Sequence, residues 1–384
     1  MTPANAAVAG LGATEFSRNS RRSELRLTCE AISAALSDAG LAFEDVDGLT
    51  TSSVDSSDPA IVAEALGLRE IGFFSTPPYG GGSVCAAVGH AALAVTSGLA
   101  STVVVYRGLN GRSGTRYGQG YADASQVQYM RLAAAYGHLS PAHHLSLSAR
   151  RWMHDYGIAN EDFAPVSVAA RRHASTNPEA YFYGNPVTVE DHQSSKWVVE
   201  PVLRLLDCCL ESDGGIAFVV TSAERAADLR QPPVQVTASG QGLTGESRLM
   251  MNYYGETCGT LPEIAIAGRL AWRTSGLTPQ DIRVAILYDQ FTPLVLMQLE
   301  ALGFCKPGES ADFVKNGAIE IGGALPVNTH GGLLGEAYIH GMNGIAEAVR
   351  QVRGTSVNQV AGASPVIVTS GPGTPASVLI LSAG

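Results

Sequence analysis

Apolar residues along the first 230 positions recur with two different spacings. Short continuous apolar runs predict buried strands, and apolar residues at every third or fourth position predict helices. The segment Glu24–Ala39 has the helical spacing and stops at Gly40, a residue type that often ends helices. The predicted elements of this half are strands at Ala7–Gly12, Val46–Thr51, Ser101–Val105 and Asp213–Thr221, and helices at Glu24–Ala39 and Ser83–Ser97.

A second alternating set follows the proline-containing linker Gln231–Pro233. Its predicted elements are strands at Val234–Ser239, Val284–Tyr288, Pro365–Thr369 and Ala376–Ser382, and helices at Pro262–Ser275, Thr292–Leu302 and His340–Gln351. Two halves that each mix strands and helices favour an α/β fold. We therefore predict an N-terminal half at residues 1–230 and a C-terminal half at residues 231–384. No short sequence repeat is visible, so any duplication is structural only.

The stretch 109–199 interrupts the first half with a different texture. It is polar and aromatic, and it is rich in His, Arg and Tyr. Segments of this kind, set into a regular scaffold, frequently carry binding specificity. We predict an inserted loop domain at about 109–199.

The charge of the chain narrows the choice of partners. Its 384 residues include 25 basic and 35 acidic ones, a formal net charge of −10. Proteins that bind polyanions usually carry a basic excess, so nucleic acid is a poor candidate as partner. No apolar run approaches the roughly 18 residues of a membrane span, and the first residues lack the basic start of a signal peptide. We predict no membrane span.

The cysteines point to a reducing compartment. The six cysteines, at positions 29, 85, 208, 209, 258 and 305, are scattered and form no C-x-x-C pair. Zinc sites and redox disulfides usually need such pairs. We therefore predict no metal site and a cytoplasmic protein with small buried thiols.

Five segments, in this order and spacing, resemble the thiolase superfamily, specifically its sterol-carrier-type and lipid-transfer-type members. They are Gly80–Gly98, Leu205–Val220, Leu287–Thr292, Asn328–Gly344 and the turn Ser370–Gly373. The resemblance implies a thiolase fold with five αβαβα layers, built from two duplicated βαβαβαββ halves with an inserted loop domain. It also implies acyl-CoA substrates and a homodimer, which would pair the Ser101–Val105 strand across a two-fold axis.

Both catalytic cysteines of a thiolase are missing. The family carries the first one at the start of the buried helix, where the helix dipole helps to form a thiolate. Counting back from Gly98 by the family's spacing leads to Gly81, and Cys85 lies one helical turn further on. The turn at Ser370–Gly373 lacks the second cysteine. We predict a buried structural Cys85; a displaced nucleophile at Cys85 is the alternative.

Two tyrosines replace the polar catalytic groups of the family. Tyr288 begins the motif Tyr288-Asp289-Gln290-Phe291, where thiolases carry Asn or His, and Tyr338 stands where the catalytic histidine follows the Asn328–Gly332 motif. Because both changes affect one site, we predict catalytic roles for Tyr288 and Tyr338. The alternative is two core tyrosines whose hydroxyls are satisfied.

A thiolase-like site without a nucleophile can still stabilise a thioester enolate, which retro-aldol cleavage of a β-hydroxyacyl-CoA requires. One tyrosine would be the base on the β-hydroxyl and the other the acid that protonates the α-carbon. We favour Tyr338 as the base, because His330 and His340 could lower its pKa. We also consider His340 for direct proton transfer, against a role at the helix entry.

Glycines and one amide are the predicted substrate-binding residues. The oxyanion site would use backbone N–H groups at the start of the helix that follows Gly82, with help from the terminal turn or His330. Gly81 would leave room for a bulky substrate carbon such as a ring junction. The predicted substrate-binding set is Gly81, Gly82, Asn328, Gly371 and Gly373.

These features together resemble the steroid side-chain retro-aldolases of the lipid-transfer-protein group. That resemblance implies cleavage of a bulky β-hydroxyacyl-CoA to a ketone and propionyl-CoA or acetyl-CoA, with no cofactor besides the coenzyme A of the substrate. It also implies a small OB-fold partner, possibly with a zinc ribbon. The alternatives are a thiolase that uses Cys85 and a non-catalytic lipid-binding subunit.

Overall fold

The computed structural model describes residues 5–53, 57–78, 80–114, 116, 133–245, 256, 258–371 and 376–384. The elements up to residue 230 are β1 (Ala6–Ala13), α1 (Glu24–Ala39), β2 (Gly48–Thr50), α2 (Pro59–Leu66), β3 (Phe73–Ser75), α3 (Val84–Thr96), β4 (Thr102–Asn110), α4 (Pro141–Tyr156), α5 (Ala164–Thr176), α6 (Val189–Ser194), β5 (Trp197–Val199), β6 (Leu203–Arg204), β7 (Asp213–Ser222) and α7 (Ala223–Ala227). In the described ranges, no helix combines the length and the apolar character that crossing a membrane requires.

The second half repeats this alternation. Its elements are β8 (Val234–Gly242), α8 (Pro262–Ser275), β9 (Val284–Ile286), α9 (Thr292–Ala301), α10 (Ser310–Phe313), α11 (Gly332–Gly335), α12 (Met342–Arg353), β10 (Val366–Ser370) and β11 (Ala376–Ala383). The predicted helix at His340–Gln351 begins two residues later, because His340 and Gly341 have positive φ angles of 50° and 88°. A residue in the left-handed region lies outside the α-helical conformation.

The strand order shows a structural duplication. The strands follow one another as β3-β2-β4-β7-β1-β8-β11-β10-β9. In each half a parallel pair, β2 with β4 or β9 with β10, continues into antiparallel neighbours, and the halves meet where β1 pairs with β8. The predicted boundary at 230 falls between α7 and β8, and the predicted insertion at about 109–199 begins at the last two residues of β4 and ends before β7.

Two helices, α3 and α12, form the middle layer between the two half-sheets. Both contact strands of both halves, and their apolar side chains join one buried cluster. Strand β4 is apolar on both faces, with Val103 and Val105 toward this cluster and Val104 and Tyr106 toward α1, as a doubly covered strand requires. Helices α8 and α9 cover the other half-sheet. The predicted αβαβα layering is confirmed.

The strand predicted to pair across a dimer axis lies inside the sheet. The segment Ser101–Val105 leads into and forms part of β4, which is hydrogen-bonded to β2 on one side and β7 on the other. It has no free edge, so this prediction was wrong. The outer strand of the first half is β3 instead. Local sequence patterns identify a strand but not its place in the sheet.

Candidate active site

Tyr288 and Tyr338 meet in one site. Their hydroxyl oxygens are 3.1 Å apart, and their rings cross at 70° with centroids 6.5 Å apart. Tyr288 follows the end of β9 and is 3% exposed, whereas Tyr338 lies between α11 and α12 and is half-buried. The predicted pair is therefore a hydrogen-bonded dyad, with Tyr338 on the more accessible side.

The phenol of Tyr288 is enclosed by two glycines. A Cβ atom on Gly81 would overlap the Tyr288 hydroxyl, and one on Gly341 would lie 2.9 Å from two carbons of the ring. Real Cβ atoms do not approach so closely, so both positions need glycine. The space that a missing cysteine would leave at Gly81 is thus filled by the Tyr288 hydroxyl. The prediction that a bulky substrate carbon uses this space was wrong.

The N-terminus of α3 is capped from the other half of the chain. The N–H of Cys85 donates to Ser370 Oγ over 3.2 Å, and the N–H of Ala86 donates to Ser377 Oγ over 3.1 Å. The Ser377 hydroxyl also contacts the carbonyl of Gly82 at 2.8 Å. Two of the backbone donors at the start of this helix, where an oxyanion site is predicted, are therefore already satisfied.

The thiol of Cys85 is buried beneath this cap. Its exposed fraction is 0%, and burial raises its pKa to about 12. The sulfur lies 3.7 Å from the carbonyl oxygen of Val368. A thiol in this environment stays protonated at neutral pH, and the thiolate is the nucleophilic form. The structure agrees with a structural Cys85.

Relatives at high identity decide the family. A family model described as "Thiolase C-terminal domain-like" matches residues 252–383. The chain is 55% identical to the 17-hydroxy-3-oxo-4-pregnene-20-carboxyl-CoA lyase of Mycobacterium tuberculosis over 387 residues, covering 99% of this chain and 100% of that protein. It is also 55% identical to the steroid side-chain-cleaving aldolase of Thermomonospora curvata over 386 residues, covering 99% and 98%. The chain belongs to this aldolase family. The resemblance inferred from the five segments is confirmed.

Solved structures agree with the aldolase family and with the thiolase fold. The structure named "Ltp2-ChsH2(DUF35) aldolase" superposes with a TM-score of 0.94 at 54% identity, covering 99% of this chain and 98% of that one. Human mitochondrial 3-ketoacyl-CoA thiolase superposes with a TM-score of 0.68 at 13% identity, covering 98% of each chain. The second likeness shows the fold alone.

His340 contacts the dyad through Tyr338. Its ring stands edge-on to the Tyr338 ring, with centroids 5.2 Å apart. Burial, with a smaller effect of the Arg107 cation, holds the pKa of His340 well below its usual range. A neutral imidazole provides no positive charge, so it cannot lower the pKa of Tyr338 by charge.

His330 lies in a different cluster. Its Nε2 is 3.8 Å from a carboxylate oxygen of Glu336, and burial, then Arg350 and His173, lowers its pKa to about 3. Its hydrogen-bond and ion-pair contacts are with this cluster and with neither tyrosine. The prediction that charge on these two histidines lowers the pKa of Tyr338 therefore fails for both.

Asn328 holds the chain next to Tyr288. Its Oδ1 accepts the N–H of Leu287 at 2.8 Å, and its Nδ2 donates to the carbonyl of Leu287 at 2.9 Å. Both ends of the amide are thus used by one residue, and Asn328 is 3% exposed. This geometry gives Asn328 a role in holding the backbone next to Tyr288, and its contact with the substrate stays a prediction. Of the other predicted substrate-binding residues, Gly371 is buried with φ 83°, and Gly373 lies outside the described residues.

Asp289 is a site residue that sequence reasoning did not single out. Its carboxylate accepts the N–H groups of Leu333 at 2.8 Å and Leu334 at 3.4 Å, and burial raises its pKa to about 7. It therefore ties the segment of Tyr288 to α11, which precedes Tyr338. An acidic residue within an apolar stretch was the available signal, because buried carboxylates are costly without partners.

The buried thiol leads to a mutational prediction. Cys85→Ala should keep kcat within about threefold of wild type and should cost some stability, because it leaves a small cavity. Steady-state kinetics and thermal unfolding of the two proteins test this. A loss above roughly 10³-fold in kcat with an intact fold is the size expected for a true nucleophile and would contradict the structural assignment.

Proposed function

We propose that this chain cleaves a steroid side-chain CoA thioester by a retro-aldol reaction, with Tyr288 and Tyr338 as its acid and base. The observation that carries the proposal is the 3.1 Å contact between the two hydroxyls in a thiolase-like site. The 55% identity to two steroid-cleaving enzymes over the whole chain supports the substrate class. The buried Cys85 argues against acyl transfer.

The reaction needs one proton transfer at each end of the broken bond. A base removes the β-hydroxyl proton, the bond between the α- and β-carbons breaks, and its electrons move onto the thioester as an enolate. The α-carbon then takes up a proton, which gives a ketone and a shorter acyl-CoA. Because the two phenols are hydrogen-bonded to each other, a proton accepted by one can pass to the other. The dyad therefore ends each turnover in its starting state.

Two helix N-termini favour negative charge on the dyad. Gly81 lies just before α3 and Gly341 is the N-cap residue of α12, and a Cβ atom on either glycine would overlap the phenol of Tyr288. Each helix N-terminus acts as a positive charge of about one half. A field of this sign favours a phenolate at the dyad, and we propose that it acts on the base where the neutral histidines cannot. Tyr338 is the more accessible member of the dyad, and we assign the contact with the β-hydroxyl to it.

The substrate of the mycobacterial relative suggests the product. In a 17-hydroxy-pregnene-20-carboxyl-CoA the carbon next to the thioester carries a methyl group, so cleavage beside it releases a three-carbon acyl-CoA. For this chain we propose the same division into a 17-ketone and propionyl-CoA.

Product analysis tests the function. The full-length protein is mixed with 17-hydroxy-3-oxo-4-pregnene-20-carboxyl-CoA, with and without a DUF35 partner protein, and products are identified by mass spectrometry. A ketone with propionyl-CoA is expected. Thiolysis of a 3-ketoacyl-CoA with a mass increase on Cys85 would favour the thiolase alternative, and no turnover of either substrate would favour the lipid-binding subunit.

We also propose a partner protein. The structural relative is named as an aldolase of Ltp2 with ChsH2(DUF35), which suggests a DUF35 partner for this chain as well. That suggestion is consistent with the OB-fold partner that the sequence resemblance implies.

The free state of all six cysteines supports the predicted cytoplasmic location, since thiols persist in reducing compartments.

A homodimer through the edge strand β3 is the expected assembly. Phe74 on this strand is 70% exposed, and Leu93 and Leu99 are each 66% exposed. Light scattering of the isolated protein should give about twice the chain mass of 40.0 kDa. Phe74→Glu should shift the equilibrium to monomer, and Val357→Glu, at an exposed apolar residue of the other half, should not. A monomeric wild-type protein at micromolar concentration would contradict this assembly.

A further inference from the structure

The backbone of Tyr288 lies beyond the regular pairing of its strand. The parallel ladder between β9 and β10 ends at Ile286, which is paired with Val368. Two residues later, side chains take over the role of the neighbouring strand. The N–H of Tyr288 donates to Thr369 Oγ1 at 2.9 Å, and its carbonyl accepts from Gln298 Nε2 at 2.9 Å.

A third hydrogen bond closes these contacts into a ring. The Thr369 hydroxyl donates to Gln298 Oε1 at 2.6 Å, so each of the two side chains holds the other in place. The second amide hydrogen of Gln298 reaches the carbonyl of Leu294 in α9 at 2.8 Å. The donors and acceptors of the ring are thus matched, as buried polar groups require.

Burial makes this ring rigid. Gln298 is 0% exposed, Thr369 is 2% exposed and Tyr288 is 3% exposed. Water cannot replace a lost partner in such a place, so an unmade hydrogen bond costs more than at the surface. Both backbone polar groups of Tyr288 are fixed, and the direction of its side chain is fixed with them.

The C-terminal end of β10 also holds the glycine turn that lies against the Tyr288 phenol. Ser370, next to Thr369, accepts the N–H of Cys85 at the start of α3 and contacts the carbonyl of Gly82 at 3.3 Å. Adjacent residues therefore set the position of the Tyr288 backbone and of the glycine turn that its hydroxyl touches. The Tyr288 hydroxyl lies directly against Gly81. A small shift of the Tyr288 backbone or of the glycine turn would therefore displace this hydroxyl.

We propose that Thr369 and Gln298 are positioning residues that set the place of the Tyr288 hydroxyl for proton transfer. The inference rests on the proposed function of Tyr288. Neither residue touches the substrate, and each acts through the backbone of the tyrosine. Loss of the ring should therefore reduce kcat and leave substrate binding nearly unchanged. A purely structural role would reduce stability without this selective effect on kcat.

Substitutions at Thr369 separate the two roles. Thr369→Val keeps the shape and removes the hydroxyl, and we expect kcat to fall about 10- to 100-fold, the scale of a displaced catalytic group, with KM within threefold. Thr369→Ser restores the hydroxyl and should recover kcat to within about threefold of wild type. Thr221→Val is the matched control, because the buried Thr221 hydroxyl donates to the Ser101 carbonyl at 2.7 Å in another strand.

A second variant tests the same ring independently, in case Thr369→Val does not fold. Gln298→Met has a similar length and removes both polar atoms of the amide, so it should give the same selective loss of kcat. Circular dichroism and thermal unfolding identify folded variants before kinetics. If folded Thr369→Val and Gln298→Met both turn over at the wild-type rate, the positioning role is overturned.

The Tyr288→Phe background distinguishes this inference from the proposed function. With the hydroxyl absent there is nothing to position, so Thr369→Val should then lower kcat by less than about threefold, a marked departure from additivity. An undiminished loss in that background would overturn the positioning role. If Tyr288→Phe alone leaves kcat unchanged, the tyrosine mechanism itself fails. If Tyr288→Phe lowers kcat and Thr369→Val does not, only the positioning inference fails.

Discussion

Tyr288→Phe and Tyr338→Phe should each lower kcat by roughly 10²–10⁴, the usual contribution of a positioned acid or base. Phenylalanine keeps the ring and removes only the oxygen that forms the 3.1 Å contact, so binding of the acyl-CoA should survive. The measurement is single-turnover cleavage of the steroid CoA thioester, with binding followed separately by calorimetry. Because the two hydroxyls act as one unit, the double variant should lose little more than the worse single variant.

Tyr106→Phe is the matched control for this pair. Tyr106 is 1% exposed, and its hydroxyl donates to the carbonyl of Ser57 at 2.9 Å, on the outer face of β4 away from the dyad. It should lose some stability and keep the cleavage rate. Cleavage within about threefold of wild type by both dyad variants would instead show two core tyrosines, since a general acid or base contributes far more.

Local pattern was enough to predict most elements and the pair of tyrosines. Helix α1 has its predicted bounds, Glu24–Ala39, because its apolar spacing and its terminal Gly40 are both local signals. Tyr288 and Tyr338 are fifty residues apart in the chain. Their meeting was predictable only because the resemblance places both motifs around one site.

Contacts between distant segments could not be predicted from local sequence patterns. The N–H of Cys85 finds its partner 285 residues away, at Ser370, so no local pattern showed that the helix N-terminus was already satisfied. The same holds for the Asn328 amide, whose partner Leu287 lies 41 residues earlier. For Ser370 and Asn328 alike, the residue type indicates a polar side chain near the site. Which of them face the substrate and which hold the backbone depends on strand order and burial.

The histidines were misjudged for an electrostatic reason. Both His330 and His340 are close to Tyr338 in sequence, which suggests that their charge could activate it. Burial removes that charge, since it lowers the pKa of both rings. A sequence shows which groups can ionise, but the desolvation that decides whether they do so comes from the fold.

Gly81→Ala should lower kcat by roughly 10²-fold or more, because small displacements of a catalytic group have effects of that size. The added methyl group would overlap the Tyr288 hydroxyl and approach its Cζ to 2.9 Å. The turn before α3 is held by Ser370 and Ser377 through the carbonyl of Gly82, so the phenol is the part that must move. It would then leave its hydrogen bond with Tyr338.

Gly245→Ala provides the control for a glycine substitution, since a Cβ there meets no atom of the described part of the chain within 4 Å. Combining Gly81→Ala with Tyr288→Phe separates displacement from other damage. Without the hydroxyl the overlap is smaller and there is no proton donor left to displace, so Gly81→Ala should have little further effect on the rate. Cleavage by the single variant at the wild-type rate would mean that the phenol tolerates the methyl group, and the requirement for glycine beside the dyad would not hold. A loss of equal size in both backgrounds would locate the effect of the methyl group on the substrate instead of on Tyr288.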